Sequence, residues 1–215
     1  MKTILVILFS VASISFVSGQ IDSTDSKYAL SFGIGDNFTL RNFNMDIAAK
    51  KIVDSKHQIR LFLSPYISTG DTKNDNTSQQ LVESSSQNYS LGIGADYLWI
   101  LLNKNDINMF GGTGLAFFYG HNSAKKTTTL SDGNMNITES NQPSIQVRLR
   151  GTLGVEWMVS RSVGIHSEYL MTGSYIWSRS KNKTTSTNIN IITQTSKTTK
   201  IGLSTSVLFG LSIYL

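Results

Sequence analysis

The chain contains no cysteine, so disulfides, lipid attachment through a thiol and zinc sites built on cysteine are all excluded. It has only two prolines and few charges, with Asp, Glu, Lys and Arg making up 15% of residues. Beyond the first residues it lacks any run approaching the ~18 apolar residues of a membrane helix. What is present is alternation. From Thr199 to Leu215, residues Ile201, Leu203, Val207, Phe209, Leu211, Ile213 and Leu215 fall on one parity, and Gly202, Ser204, Ser206, Gly210 and Ser212 on the other. Successive side chains of a strand point to opposite faces. One face is therefore greasy and the other small, which suits lipid outside and a narrow lumen inside.

The N-terminus reads as a secretory signal over residues 1–19. Lys2 supplies the charge, Ile4–Phe9 and Val11–Phe16 the apolar region, and Val17 and Gly19 the small residues before cleavage at Gln20. Export and a charge of +5 spread over the polar tracts argue against nucleic acid as a partner. A mean hydropathy of −0.08 fits strands that show lipid only every second residue.

Three tracts, Thr69–Gln87, Ser123–Gln142 and Ser180–Lys197, are rich in Ser, Thr, Asn, Gln and Lys and read as long loops. Short turns are expected at Asp54–Lys56, Asn103–Asp106 and Ser160–Ser162. The segments between them give eight strands, at Lys27–Asp36, Phe43–Val53, His57–Thr69, Asn88–Leu101, Ile107–His121, Ser144–Val159, Val163–Arg179 and Thr198–Leu215. Pro65 removes a ladder donor from the third, so a bulge is expected there. The fold class is all-β: an eight-stranded antiparallel up-and-down transmembrane barrel, forming one domain over residues 20–215. An even strand count places both termini at the short-turn, periplasmic side.

Parity also sorts the special residues. Trp99, Trp157 and Tyr214 fall near the short turns, and Tyr119, Tyr175 and Trp177 near the long tracts, in the manner of two interfacial girdles. Tyr214 alone has the inner parity of its strand. Gly33, Gly35, Gly92, Gly94, Gly112 and Gly114 are inward, leaving room for bulkier inward neighbours. So are Asp46, Lys50, Arg60, Asp96, Arg148, Arg150, Glu156, His166 and Glu168, four cations and four anions with one imidazole. A buried charge survives only when paired, so this set predicts a salt-bridged plug rather than an open pore. Lys51 and Arg179 are outward near strand ends, where they can snorkel.

Chemistry is thinly represented. His166, Ser167 and Glu168 suggest a hydrolase, yet alternation turns Ser167 away from the imidazole. His57 and His121 lack partners at metal spacing and read as solvated. The expectation is a protein that is not an enzyme and holds no cofactor and no metal.

The segments "YALSFGIGDNFTL", "YSLGIGADYLWIL", "LRGTLGVEWMVSRSVGIHSEYLMTGSY" and "KIGLSTSVLFGLSIYL" resemble the small eight-stranded bacterial outer-membrane barrels. The likeness is to outer-membrane protein X and the barrel of outer-membrane protein A, with Ser/Thr/Asn-rich loops like those of Bacteroidetes members. The resemblance covers about Lys27–Leu215. It implies a monomer in the bacterial outer membrane with a surface-interaction or structural role. It implies as partners outer-membrane lipid, lipopolysaccharide and the barrel assembly machinery. Lys73, Lys125, Lys126, Lys181 and Lys183 are placed to meet lipopolysaccharide phosphates at the outer rim, with ordinary solvation the favoured alternative. That machinery would read Gly210, Ile213 and Leu215 as a terminal signal, although the last residue is Leu rather than Phe. A small channel or transporter, a lipid-modifying enzyme and a soluble lipid-binding barrel with inverted faces are the rival readings. The surface ligand is left open.

Overall fold

The computed structural model describes residues 27–35, 42–76, 80–104, 106–130, 134–186 and 189–215. The expected signal sequence at residues 1–19 and the connection at 36–41 lie outside the described residues. Eight strands follow in order: β1 (Tyr28–Gly35), β2 (Asn42–Ile52), β3 (His57–Asn76), β4 (Gln80–Lys104), β5 (Ile107–Leu130), β6 (Met135–Ser160), β7 (Val163–Ser186) and β8 (Ile189–Tyr214). Each pairs antiparallel with its neighbours in the chain, and β1 pairs with β8, so the sheet closes into a barrel. The eight-stranded up-and-down architecture expected from alternation is the one observed.

The barrel is inside out relative to a soluble one. Leu61 (60%), Ile93 (58%), Phe117 (59%), Leu149 (59%) and Phe209 (62%) stand exposed on the outer wall. Lys50 (2%), Arg60 (4%), Asp96 (2%), Glu156 (2%) and Glu168 (1%) are buried inside it. Charges on the outer wall at mid-bilayer would cost about 2–4 kcal/mol each, and an apolar outer wall in water would aggregate. The two faces together define a transmembrane barrel. Of the outward residues assigned by parity, only Val147, Val207 and Ile213 are half-buried rather than exposed.

The inward glycines are occupied from the next strand. A Cβ on Gly92 would run into the Phe118 ring, one on Gly154 into Phe110, and one on Gly210 into the His166 imidazole. Each of these glycines is the direct cross-strand partner of the residue that fills its space. Small and large residues thus alternate around the wall and pack the interior, as in other narrow barrels.

The polar tracts depart from expectation. They are not long loops. Thr69–Asn76 continues β3, Gln80–Gln87 belongs to β4, Ser123–Leu130 continues β5, and Met135–Gln142 opens β6. Ser180–Ser186 and Ile189–Lys197 do the same for β7 and β8. β4 has 25 residues and β6 has 26, against the 9–11 that cross a bilayer. At ~3.3 Å per residue, roughly half of each strand stands beyond the membrane. Composition concealed this because Ser, Asn and Gln favour turns. Water on both faces removes any need for an apolar side, and Thr suits a pleated surface. Residues 191–200 are exposed on both parities.

The register also corrects the bulge expected at Pro65. Ile47 pairs with Leu63 and Asn44 with Tyr66, so the ladder to β2 lapses across Ser64–Pro65 and resumes without a shift. Pro65 itself pairs in register with Leu91. The true irregularities lie between Ile100 and Leu102, between Met158 and Ser160, and between Thr184 and Ser186. The first two sit beside short turns, where an extra residue re-aims the strand.

Candidate functional site

Among the described residues, charge within the membrane span collects in the lumen, and strand parity alone delivers it there. Three clusters succeed one another from the short-turn end. In the first, Lys50 Nζ lies 3.2 Å from Glu156 Oε1 and donates to Ser212 Oγ at 3.0 Å. The Tyr214 hydroxyl donates to the other oxygen of Glu156. Tyr214 is therefore a lumen residue and not part of an outer girdle. Its inner parity was the correct signal, and its place near the short turns the misleading one.

In the second cluster Arg60 holds two carboxylates. Nε and Nη2 reach Asp96 Oδ2 at 2.9 and 2.7 Å, and Nη1 reaches Glu168 Oε1 at 2.5 Å. A planar guanidinium with five donors is the side chain suited to such a fork. The void left among Arg60, Asp46, Phe62, His166, Glu168 and Leu208 measures about 10 Å³. That is close to the smallest space that holds one water.

The third cluster is looser. Arg150 Nη1 is 3.5 Å from Asp46 Oδ2 and Nη2 is 3.8 Å from Asp96 Oδ2. Ser64 donates to Asp46. Arg148 has no carboxylate within ion-pair distance among the described residues, and its Nε and Nη2 go to Gln146 Oε1 at 3.2 and 2.9 Å. Each guanidinium stacks on a ring, Arg148 over Phe118 at 3.6 Å and Arg150 over Phe62 at 4.0 Å. Four anions do face four cations, but Arg60 takes Asp96 and Glu168 together. The upper cluster is left with two guanidiniums, Asp46 and a longer contact from Arg150 to Asp96.

The histidines divide. His166 is buried, with Nδ1 3.2 Å from Ser212 Oγ and Nε2 3.6 Å from Glu168 Oε1. This is a Ser–His–Glu succession that the sequence reading missed, because it considered only the adjacent Ser167. Ser212 comes from β8, 46 residues away, and only the β7–β8 register brings it near. A nucleophile needs an open approach. Ser212 has 0% exposure and is also held by Lys50 and Ser31, so no substrate reaches it in this arrangement. His57 is not simply solvated: its Nδ1 sits 2.9 Å from Asp54 Oδ1 in the β2–β3 turn. That contact, and the Lys56 amide donating to the same oxygen at 2.7 Å, hold the Asp54 carboxyl below its ordinary pKa. His121 stacks on Tyr89 at 5.3 Å. Among the described residues no three of His, Asp and Glu gather as a metal site would require.

Outside the lumen, Trp99, Trp157, Tyr119, Tyr175 and Trp177 are all exposed on the outer wall. Tyr97 meets Trp99 edge-on at 5.3 Å, and Tyr175 meets Trp177 at 4.3 Å. Gly210 packs inward against His166, Ile213 pairs with Leu30, and the Leu215 amide donates to the Tyr28 carbonyl at 2.9 Å. Lys73 and Lys125 pair across strands with Glu83 and Glu139 at 2.9 and 4.0 Å.

No protein-family model matches this chain. No curated protein is similar to it in sequence. Solved structures of similar shape include a major outer membrane protein of Thermus thermophilus, at 10% identity over 88% of this chain and 98% of that one, with a TM-score of 0.43. OprG of Pseudomonas aeruginosa is 12% identical over 87% and 94%, with a TM-score of 0.46. Neisserial surface protein A is 15% identical over 87% and 93%, with a TM-score of 0.40. The fold of this chain rests on its own strand pairing and its inverted faces.

Proposed function

We propose that this protein is a non-enzymatic, monomeric barrel of the bacterial outer membrane, exported by residues 1–19 and closed to solutes by its lumen plug. Both termini and the short turns face the periplasm. Gly210, Ile213 and Leu215 serve as the terminal signal for barrel assembly. The work is done at the cell surface, in adhesion, shielding or envelope integrity. The effector is not a set of long loops but the paired ends of β3 to β8, standing beyond the membrane as stiff β-ribbons. Their exposed lysines, Lys126, Lys181 and Lys183 among them, meet lipopolysaccharide phosphates at the rim.

The observation that carries this reading is the packed lumen: Arg60 joins Asp96 and Glu168 across it, and about 10 Å³ stays empty beside them. The rival reading of a small channel needs those pairs to part. Planar-bilayer recording of the folded protein tests it, with no steady conductance expected. A large, lasting open level would overturn the plugged barrel. Proteolysis of whole cells tests the location, with cleavage expected only within the ribbons.

A further inference from the structure

Above the plug the lumen widens into a cup of about 320 Å³. Its floor carries Arg150 and Arg148, and its walls carry Ser90, Ser144 and Thr172 among other hydroxyl and amide groups. We propose that this cup is a binding site for a phosphate-class oxyanion, held between Arg148 and Arg150.

Four observations support it. The first is uncommitted charge. Arg148 spends two of its donor groups on the neutral Gln146 and none on a carboxylate among the described residues. Five donors in a planar fork match the oxygens of phosphate. The second is a buried donor without a partner: Arg150 has a side chain 6% exposed, and its Nε makes no hydrogen bond among the described residues. Such a group ordinarily finds one. The third is orientation. The Phe118 and Phe62 rings hold the two guanidinium carbons at 3.6 and 4.0 Å before any ligand arrives, which lowers the entropy lost on binding. The fourth is the balance of charge. Among the described residues Asp46 is the one carboxylate lining the cup, and it is engaged by the Ser64 hydroxyl and Arg150. A bound anion therefore meets a net positive site.

The wall also gives the cup a side. Val207 has outward parity yet lines the cup, beside Gly35 at the end of β1. On its β1 side, β8 is paired only from Leu208 to Tyr214 among the described residues. The oxyanion has two possible sources, a free phosphate from above or the headgroup of an amphiphile whose tail lies against the apolar outer wall.

The mature protein, folded in zwitterionic micelles, is titrated with inorganic phosphate against chloride at matched ionic strength. Binding is followed by amide shifts of Gly120 and Ser206–Leu208. A saturable, phosphate-specific shift is expected. R148Q weakens it by about tenfold or more, and R148K, which keeps the charge but loses the fork, by less. K104Q, at the exposed short-turn end of β4, leaves it unchanged. Arg148 leaves no carboxylate unpaired, so R148Q folds, as gel heat-modifiability checks. Decyl phosphate distinguishes the sources. Affinity about tenfold above that of inorganic phosphate assigns the site to an amphiphile headgroup, and equal affinity to the free anion. No saturable shift with either ligand, or affinities unchanged in both R148Q and R148K, overturns the proposal.

Discussion

Arg60 on β3 reaches Glu168 on β7, Nη1 to Oε1 2.5 Å, across a barrel in which those strands stand on opposite walls. The bond ties the two halves of the sheet together. Arg60 is also the closest partner of Asp96, so its removal leaves two buried carboxylates with only long contacts, Asp96 to Arg150 at 3.8 Å and Glu168 to His166 at 3.6 Å. R60A should lower unfolding stability by about 3–5 kcal/mol, the usual cost of breaking a buried pair. E168Q should cost less, because Asp96 still holds the guanidinium. Urea midpoints of the folded band on a heat-modifiability gel measure both. An R60A midpoint equal to that of the wild type would falsify the cross-lumen tie.

Gly92 exists to accommodate Phe118. A Cβ there enters the ring, and the backbone at that point is fixed by ladders on both sides. G92A should destabilise by about 1–3 kcal/mol through overpacking. In G92A/F118A part of that loss should return, giving a coupling term of opposite sign to the single effects. Strictly additive values would mean that the two residues do not compete for one space.

The β2–β3 turn should respond to acid. Asp54 has its pKa lowered by the His57 side chain and then by the Lys56 amide. A carboxyl lowered in the folded state stabilises above its unfolded pKa, and that contribution is lost as pH falls through the folded one. Amide exchange at Lys56 should therefore be slow at about pH 7 and speed up below about pH 4 beyond the intrinsic rate change. D54N should remove this step. A step of equal size in D54N would assign it to another group.

The upper part of β8 should have a protected side and an open side. From Thr193 to Ser206 it pairs with β7, while its β1-facing edge has no partner among the described residues. Native-state hydrogen exchange should show protection at every second amide there. The part from Leu208 to Tyr214, paired on both sides, should be protected throughout. Uniformly fast exchange from Thr193 to Lys200 would restore the loop reading.

Much of this was legible in the chain. The inner and outer faces, the strand count and the short turns follow from period-two alternation, which is local and survives without any knowledge of neighbours. The charges could be placed in the lumen, but their matching could not. Lys50 meets Glu156 from across 106 residues, and Arg60 draws two anions while Arg148 draws none among the described residues. Ser212 beside His166 was hidden for the same reason.

What the sequence determined alone is which side of each strand meets lipid, because the pleat turns every second residue outward whatever the strand pairs with. Only the tertiary structure decided that the Ser/Thr-rich tracts are strands. A polar strand with water on both faces has no hydrophobic period, and its order comes from the ladder to its neighbour. Only the tertiary structure decided, too, that the plug ends below Arg148. Ion pairs depend on which walls face each other, and barrel closure from β1 to β8 sets that.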